Sequence, residues 1–263
     1  MGAGQLAPSF YIGFNMKILL GINVLTMIDA QVYGNHLAWA YHLGRLKEQK
    51  GIDIILYTPW RTSIDRMRNT AAKLALENEC DYLMFVDDDM VLQTNTLECL
   101  LDADKDIVMA HTYIRGYPFH PMAFKNKSET PNDIQLTHFE DLMEFKDEKG
   151  LVDCPAIGFA TVLIKTDILR KLEPPYFVTT PNSTEDVYFC LRAKIEIGPE
   201  VSIAVDTRCP TGHAMDKEFV HEKTVHAHRL YCEALMSEAE KLKVGPEKRD
   251  DRGNEYHKVI EAL

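Results

Sequence analysis

Basic residues are in short supply in this chain. Twenty-nine lysines and arginines face 40 aspartates and glutamates, a formal net charge of −11. Such a surface repels phosphate backbones and anionic lipid, so bulk nucleic-acid binding is not expected. Long apolar runs are lacking too. The stretch from Phe10 to Ile28 holds Lys17 in its middle, with Asn15 and Asn23 alongside, and no basic residue precedes it. It therefore predicts neither a bilayer-spanning helix, which needs ~20 apolar residues, nor a signal peptide. The six cysteines include no C-x-x-C pair and are scattered through apolar contexts. That argues against a zinc site or a disulfide frame and for free thiols in a reducing compartment, which makes a cytoplasmic location the expectation. Neither G-x-G-x-x-G nor G-x-x-x-x-G-K occurs, so no nucleotide is expected to be held by either of those loops.

What is present is the alternation of an α/β fold. Lys17–Val24 is a continuous apolar run of the kind buried on both faces of a parallel sheet. Ala30–Gln49 has helical periodicity, and Asp53–Tyr57 is a second strand. Thr62 and Asp65 have the spacing of a capping box ahead of a helix that ends near Asn78. Tyr82–Val86 is a third strand, Thr94 is placed to cap the next helix, and a fourth strand begins at Asp106. Four strand–helix alternations predict a Rossmann-like, mostly parallel central sheet flanked by helices. His111 to Gly150 has no long period and predicts irregular structure or a small antiparallel insertion. Leu151–Lys165 has strand texture with Gly158 inside it, and helices are expected over Asp167–Leu172 and Glu185–Ile195. Val201–Val205 reads as a strand and the last forty or so residues as mostly helix. The expected division is an extension over 1–15, a catalytic domain over 16–215 and a C-terminal helical segment over 216–263.

Asp87, Asp88 and Asp89 directly follow the third strand, and ligands of doubly wound sheets bind outside the carboxyl ends of strands. Two carboxylates ~5 Å apart repel by about 3 kcal/mol at an effective dielectric near 20. Three in a row are stable there if a divalent cation neutralises them, and oxygen ligands favour Mg²⁺ or Mn²⁺. The alternative is a solvated acidic turn capping the next helix.

A hydrophobic strand ending in Asp-x-Asp resembles the signature of GT-A glycosyltransferases. The resemblance extends in order over about residues 17–215: first strand, Arg68-Asn69 on the helix before the aspartates, Asp87-Asp88-Asp89, Gly158, Glu185-Asp186 at a helix start, and His213. It implies a GT-A fold and a metal-dependent transfer of sugar from a nucleoside diphosphate donor, such as a UDP- or GDP-sugar, to an acceptor hydroxyl. Asp89 is then a direct ligand of Mn²⁺ or Mg²⁺, with Asp87 near the ribose and also in the metal set, and Asp88 is the variable middle position. His213 is the candidate imidazole ligand, in preference to His221, His226 and His228, and imidazole suits Mn²⁺ better than Mg²⁺. Arg68 and Asn69 would help hold the nucleotide, since an arginine fork suits phosphate as well as carboxylate. Asp186, with Glu185 beside it, would be the catalytic base of an inverting reaction. A carboxylate at a helix N-terminus is also favoured by the dipole alone. Arg115 is placed to reach the diphosphate, Gly158 to let donor or acceptor approach, and Asp153 to touch the sugar. Trp39 and Trp60 are expected to be packing residues.

Two other functions fit parts of this pattern. A sugar-phosphate nucleotidyltransferase shares the architecture, but its glycine-rich loop after the first strand is replaced here by Gly21-Ile22-Asn23-Val24-Leu25-Thr26. A non-catalytic nucleotide-sugar-binding module needs neither Asp89 nor Asp186. The sequence leaves the sugar, the base and the acceptor open.

Overall fold

In the computed structural model of the protein, residues 16–25, 27–128, 134–215, 218–222 and 224–241 are described. The expected extension, 1–15, lies outside them, as does the end of the C-terminal segment, 242–263. The first half alternates β1 (Met16–Asn23), α1 (Ala30–Lys50), β2 (Ile52–Tyr57), α2 (Ile64–Glu77), β3 (Tyr82–Asp87), β4 (Met90–Val91), α3 (Thr96–Asp102) and β5 (Ile107–His111). The second half holds β6 (Ala123–Asn126), β7 (Leu136–His138), β8 (Leu151–Asp153), β9 (Ala156–Ile157), β10 (Thr161–Lys165), α4 (Thr166–Arg170), α5 (Glu185–Glu196), β11 (Ile203–Pro210), β12 (Gly212–Met215), β13 (Glu218–Val220) and α6 (Val225–Lys241).

Seven strands form the central sheet in the order β2-β1-β3-β10-β5-β11-β8. β2, β1, β3, β5 and β11 run parallel, and β10 and β8 are antiparallel to their neighbours. The expected α/β fold, with a mostly parallel sheet flanked by helices, is what the structure shows. Alternate residues of the strands point to opposite faces. On one face Leu19, Leu83, Phe85, Ile107 and Met109 pack against Ala71 and Ala75 of α2 and against Phe189 and Ala193 of α5. On the other, Ile18, Leu20, Met84, Val86 and Val108 pack against Trp39, Leu43 and Leu46 of α1 and Leu97 and Leu100 of α3. The continuous apolar texture of β1 and β3 follows from this two-sided burial.

Several local expectations are corrected. The N-cap of α2 is Ser63, not Thr62, and that of α3 is Asn95, not Thr94; neither makes a side-chain capping bond. Leu151–Lys165 is three short strands, with Gly158 between β9 and β10, because the chain leaves the main sheet to pair β9 with β6. That pairing gives the 111–150 region its small antiparallel sheet, β7-β6-β9. β13 pairs with β12, so residues on both sides of the expected boundary at 215/216 share one hairpin. Trp39 is buried as predicted, but Trp60 is 59% exposed, with the Arg61 guanidinium 4.3 Å from its ring centre. α1 is closed at both ends. Asp29 accepts a hydrogen bond from the Gln31 amide (2.7 Å), and Gly51 takes the left-handed conformation (φ 69°) that ends the helix with little steric penalty.

Candidate functional site

The parallel strands deliver polar residues to one edge. Asn23 ends β1 and Asp87 ends β3, and the register pairs them directly. Leucines, isoleucine and valine hold the strands up to that point, so the polar ends are fixed by an apolar framework. Asn23 is 4% exposed and donates to Asp87 Oδ1 across 3.4 Å. Asp88 accepts from the Leu25 amide at 3.0 Å, and burial pushes its carboxyl up from the ordinary range.

His213 reaches the same edge from far along the chain. β12 pairs antiparallel with β4, placing His213 opposite Met90, and the Ala214 amide donates to the Asp89 carbonyl at 2.8 Å. His213 Nδ1 lies 2.8 Å from the Tyr113 carbonyl, and Nε2 lies 3.2 Å from Asp89 Oδ2. A carbonyl can only accept, so Nδ1 carries a proton. Arg115 Nη1 stands 3.1 Å from the same carboxylate oxygen. Asp89 is largely desolvated, which opposes ionisation, yet His213 and Arg115 hold its carboxyl below the ordinary range. Among the described residues its Oδ1, which is buried, has no hydrogen-bond partner.

Arg68 lies on the inner side of α2, 2% exposed. Its Nη1 donates to Glu185 Oε1, and its Nη2 lies 3.5 Å from Asp87 Oδ1 and 3.3 Å from the Phe159 carbonyl. The guanidinium sits 5.4 Å from the ring centres of both Phe85 and Phe159. One buried cation therefore ties the start of α5 to the end of β3. Burial pushes Asp87 up to about 6 against the pull of Arg68, and Glu185 is raised for the same reason. Asp186, half-buried, uses Oδ1 to accept from the Thr184 hydroxyl and the Val187 amide. Among the described residues no hydrogen bond reaches its Oδ2.

The site residues expected from the sequence thus fall into groups. Asp89, His213 and Arg115 come together, and so do Asp87, Arg68 and Glu185. Among the described residues no three His, Cys, Asp or Glu side chains gather as a metal-holding cluster: Asp87 Oδ1 faces Arg68 and Asn23, and Asp89 Oδ2 faces His213. Three of the expected residues have close partners within the chain. The Asn69 amide is saturated by backbone, donating to Asp65 and Phe177 carbonyls (2.8 and 2.6 Å) and accepting from the Tyr176 and Phe177 amides (2.7 and 3.2 Å); it fixes the 176–177 segment. A Cβ on Gly158 would lie 2.6 Å from Met122 Cε, so its close neighbour is the chain itself. Asp153 pairs with Lys105 at 2.8 Å and sits opposite Ala204, near the amino ends of the parallel strands and away from Asp87–Asp89.

Sequence reasoning missed Asn23 and Tyr113. A polar residue closing the apolar run of β1 was the visible signal for Asn23. Tyr113 acts through its carbonyl, which no side-chain pattern reveals. All six cysteines are free, as expected, and among the described residues no helix is long and apolar enough to cross a membrane.

No protein-family profile matches the chain, and no curated protein matches it. Among solved structures it is similar to A197 from STIV, with 19% identity and a TM-score of 0.45 over 76% of this chain and 87% of that one. It is also similar to GalNAc-T7 crystallised with UDP, GalNAc and Mn²⁺, with 10% identity and a TM-score of 0.44 over 77% of this chain and 44% of that one. A third is the 4-diphosphocytidyl-2C-methyl-D-erythritol synthase from Anaerococcus prevotii, with 8% identity and a TM-score of 0.41 over 83% of this chain and 97% of that one. Likeness at this level carries no substrate or activity to this chain.

Proposed function

We propose that the chain is a GT-A-type glycosyltransferase that moves a sugar from a nucleoside diphosphate donor to an acceptor hydroxyl with the help of Mn²⁺ or Mg²⁺. The observation that carries this reading is the Asp89–His213 pair at the carboxyl edge of the sheet, with Asp89 Oδ1 buried and unpartnered. A buried carboxylate oxygen without a donor costs free energy, and a cation is the partner that an anionic oxygen beside an imidazole nitrogen fits. Oxygen and nitrogen donors together suit Mn²⁺, and Asp89 and His213 would hold it. When bound, the ion supplies charge neutralisation for the departing diphosphate.

The residues around the pair have separate tasks in this reading. Arg68 orients Asp87 toward the ribose and fixes Glu185, so neither carboxylate swings. Arg115, 56% exposed on its side chain, is free to shift from Asp89 to a phosphate. Glu185 is engaged by Arg68, which leaves Asp186 as the carboxylate with an open oxygen. In transfer, the acceptor oxygen bonds to the anomeric carbon as the bond to the diphosphate breaks, and the acceptor proton passes to Asp186. Attack opposite the leaving group inverts the anomeric centre.

Two variants test these roles. His213→Ala is expected to weaken Mn²⁺ affinity by more than the about 10- to 100-fold typical of losing a ligand's supporting groups, and by less than Asp89→Ala, because a neutral donor is lost. Mn²⁺ titration by calorimetry checks it, and equal losses in the two variants would reverse the ranking. Asp186→Asn is expected to lower turnover by about 10²- to 10⁴-fold, the contribution of general-base assistance, with donor affinity nearly unchanged. The Asn oxygen still accepts from the Val187 amide, so the helix start survives. Steady-state rates at saturating donor decide it: near-normal turnover in a folded variant leaves Asp186 as a helix cap only.

A further inference from the structure

α1 has an inner face that is buried and an outer face that is not. Val32, His36, Trp39, Leu43 and Leu46 are buried. Asn35 exchanges hydrogen bonds with the Leu92 backbone (2.9 and 2.8 Å), His36 lies 2.9 Å from the Met90 carbonyl, and His42 lies 2.8 Å from Glu98. On the outside, Tyr33, Leu37 and Tyr41 are 55%, 53% and 73% exposed. From Ala30 to Gly44 the helix contains no Asp, Glu, Lys or Arg. A surface helix ordinarily carries charge on its solvent face, so four turns without any mark a face that is covered in use.

The pattern along that face is symmetric. Residues four apart form a ridge on a helix, and the ridge here reads Asp29, Tyr33, Leu37, Tyr41, Arg45. It is acidic at one end and basic at the other, with matched aromatics about a central leucine. A two-fold axis through Leu37 lays this ridge antiparallel on a copy of itself. Tyr33 then meets Tyr41 of the other copy, and Asp29 meets Arg45 at both ends. Packing of such ridges at a crossing angle near −50° is the commonest helix–helix geometry, and an isologous interface requires this self-complementarity. Asp29 and Arg45 are both exposed and make no ion pair within the chain among the described residues. Gly34, Ala38 and Ala40 flank the ridge and let a second helix come close.

The surface continues onto the sheet. β2 is the end strand of the sheet, and its Leu56, on the side that α1 packs, is 62% exposed. An apolar edge strand left open invites association, and α1 covers Ile52 but stops short of Leu56.

We infer that the outer face of α1, with Leu56 at its rim, is the interface of a two-fold homodimer. A five-residue ridge spans only about 24 Å of helix, a small contact, so the dimer is expected to be a weak, concentration-dependent one with a Kd in the micromolar range.

Sedimentation velocity of the full chain over a range of about 1 to 200 μM tests this. The wild type is expected to pass from monomer to dimer, and Leu37→Asp, which sets two like charges on the axis, to weaken association at least about tenfold. Arg45→Asp and Asp29→Lys should each be monomeric alone, since each pairs like charges at both ends. An equimolar mixture of the two should dimerise, because only the mixed pair restores both opposite-charge contacts. Circular dichroism and melting of each variant report whether α1 remains folded without its Asp29 cap. A wild type that stays monomeric, a dimer insensitive to Leu37→Asp, or a mixture no more associated than its components overturns the inference. So does a monomer that floats with neutral phosphatidylcholine vesicles through Leu37, which would make this a lipid-facing surface.

Discussion

Asp89→Ala is expected to abolish Mn²⁺-dependent donor binding while leaving the fold intact. Three features converge on this carboxylate: Oδ2 faces His213 and Arg115, Oδ1 is buried without a partner, and its backbone carbonyl anchors β12. Only the carbonyl contact survives the substitution, and it holds the hairpin in place. The anionic donor to the cation is gone, and loss of a direct ligand exceeds the 10- to 100-fold typical of losing its supporting groups, so about 10³-fold or more is expected. Asp89→Asn, which keeps the shape and a hydrogen bond to His213, should fail nearly as badly because the charge is lost. Calorimetry with nucleoside diphosphate, with and without Mn²⁺, measures this. An unchanged Mn²⁺ increment in either variant would overturn the metal role.

Arg68→Met should cost stability more than any other single change near the site. The guanidinium is the buried partner of Glu185 and lies 3.5 Å from Asp87. Removing one member of a buried ion pair typically costs about 3–5 kcal/mol, because the remaining charge is stranded. For a chain of this size that corresponds to a fall in Tm of roughly 6–20 °C, at ~2–4 °C per kcal/mol. The loss should depend on pH. Without Arg68 the carboxyls of Glu185 and Asp87 rise further above their unfolded values. Ionising them then favours the unfolded state, so the variant's deficit is larger at pH 8 than at pH 5, where protonation relieves it. Glu185→Gln added to Arg68→Met should recover part of the loss, since the stranded charge disappears. A melt of Arg68→Met within 2 °C of wild type would show that the pair is not the tie it resembles.

Much of this arrangement was legible in the sequence, and the reasons differ by residue. The strands around Leu19 and Phe85 announce themselves because burial on both faces leaves no polar alternation. Asp87–Asp89 stand out because three carboxylates at a strand end need an explanation. Arg68 stood out on its helix, but sequence shows a cation and cannot show that it contacts two carboxylates, at 87 and 185. The in-chain contacts of Asn69 and Gly158 were hidden for a related reason. An amide that braces a neighbouring segment and a glycine that makes room for Met122 have the same residue types as groups that meet a ligand. The Leu151–Lys165 region defeats periodicity because its strands serve two different sheets. The α1 ridge was hidden by averaging, since tyrosine, leucine and alanine at helical spacing read as core until exposure is known.

The pairing of Asp89 with His213 joins positions 124 residues apart. Closing so long a loop is entropically unfavourable until the sheet between its ends has formed, so the pair is expected to form late in folding. Fragments or partly folded chains that contain Asp87–Asp89 but have not docked β12 lack the pair altogether. A cation bridging it would bind the completed fold and not its precursors, and would stabilise the native state by mass action. If Asp89 and His213 hold Mn²⁺ as proposed, Mn²⁺ affinity would appear during refolding only once β12 has docked onto β4.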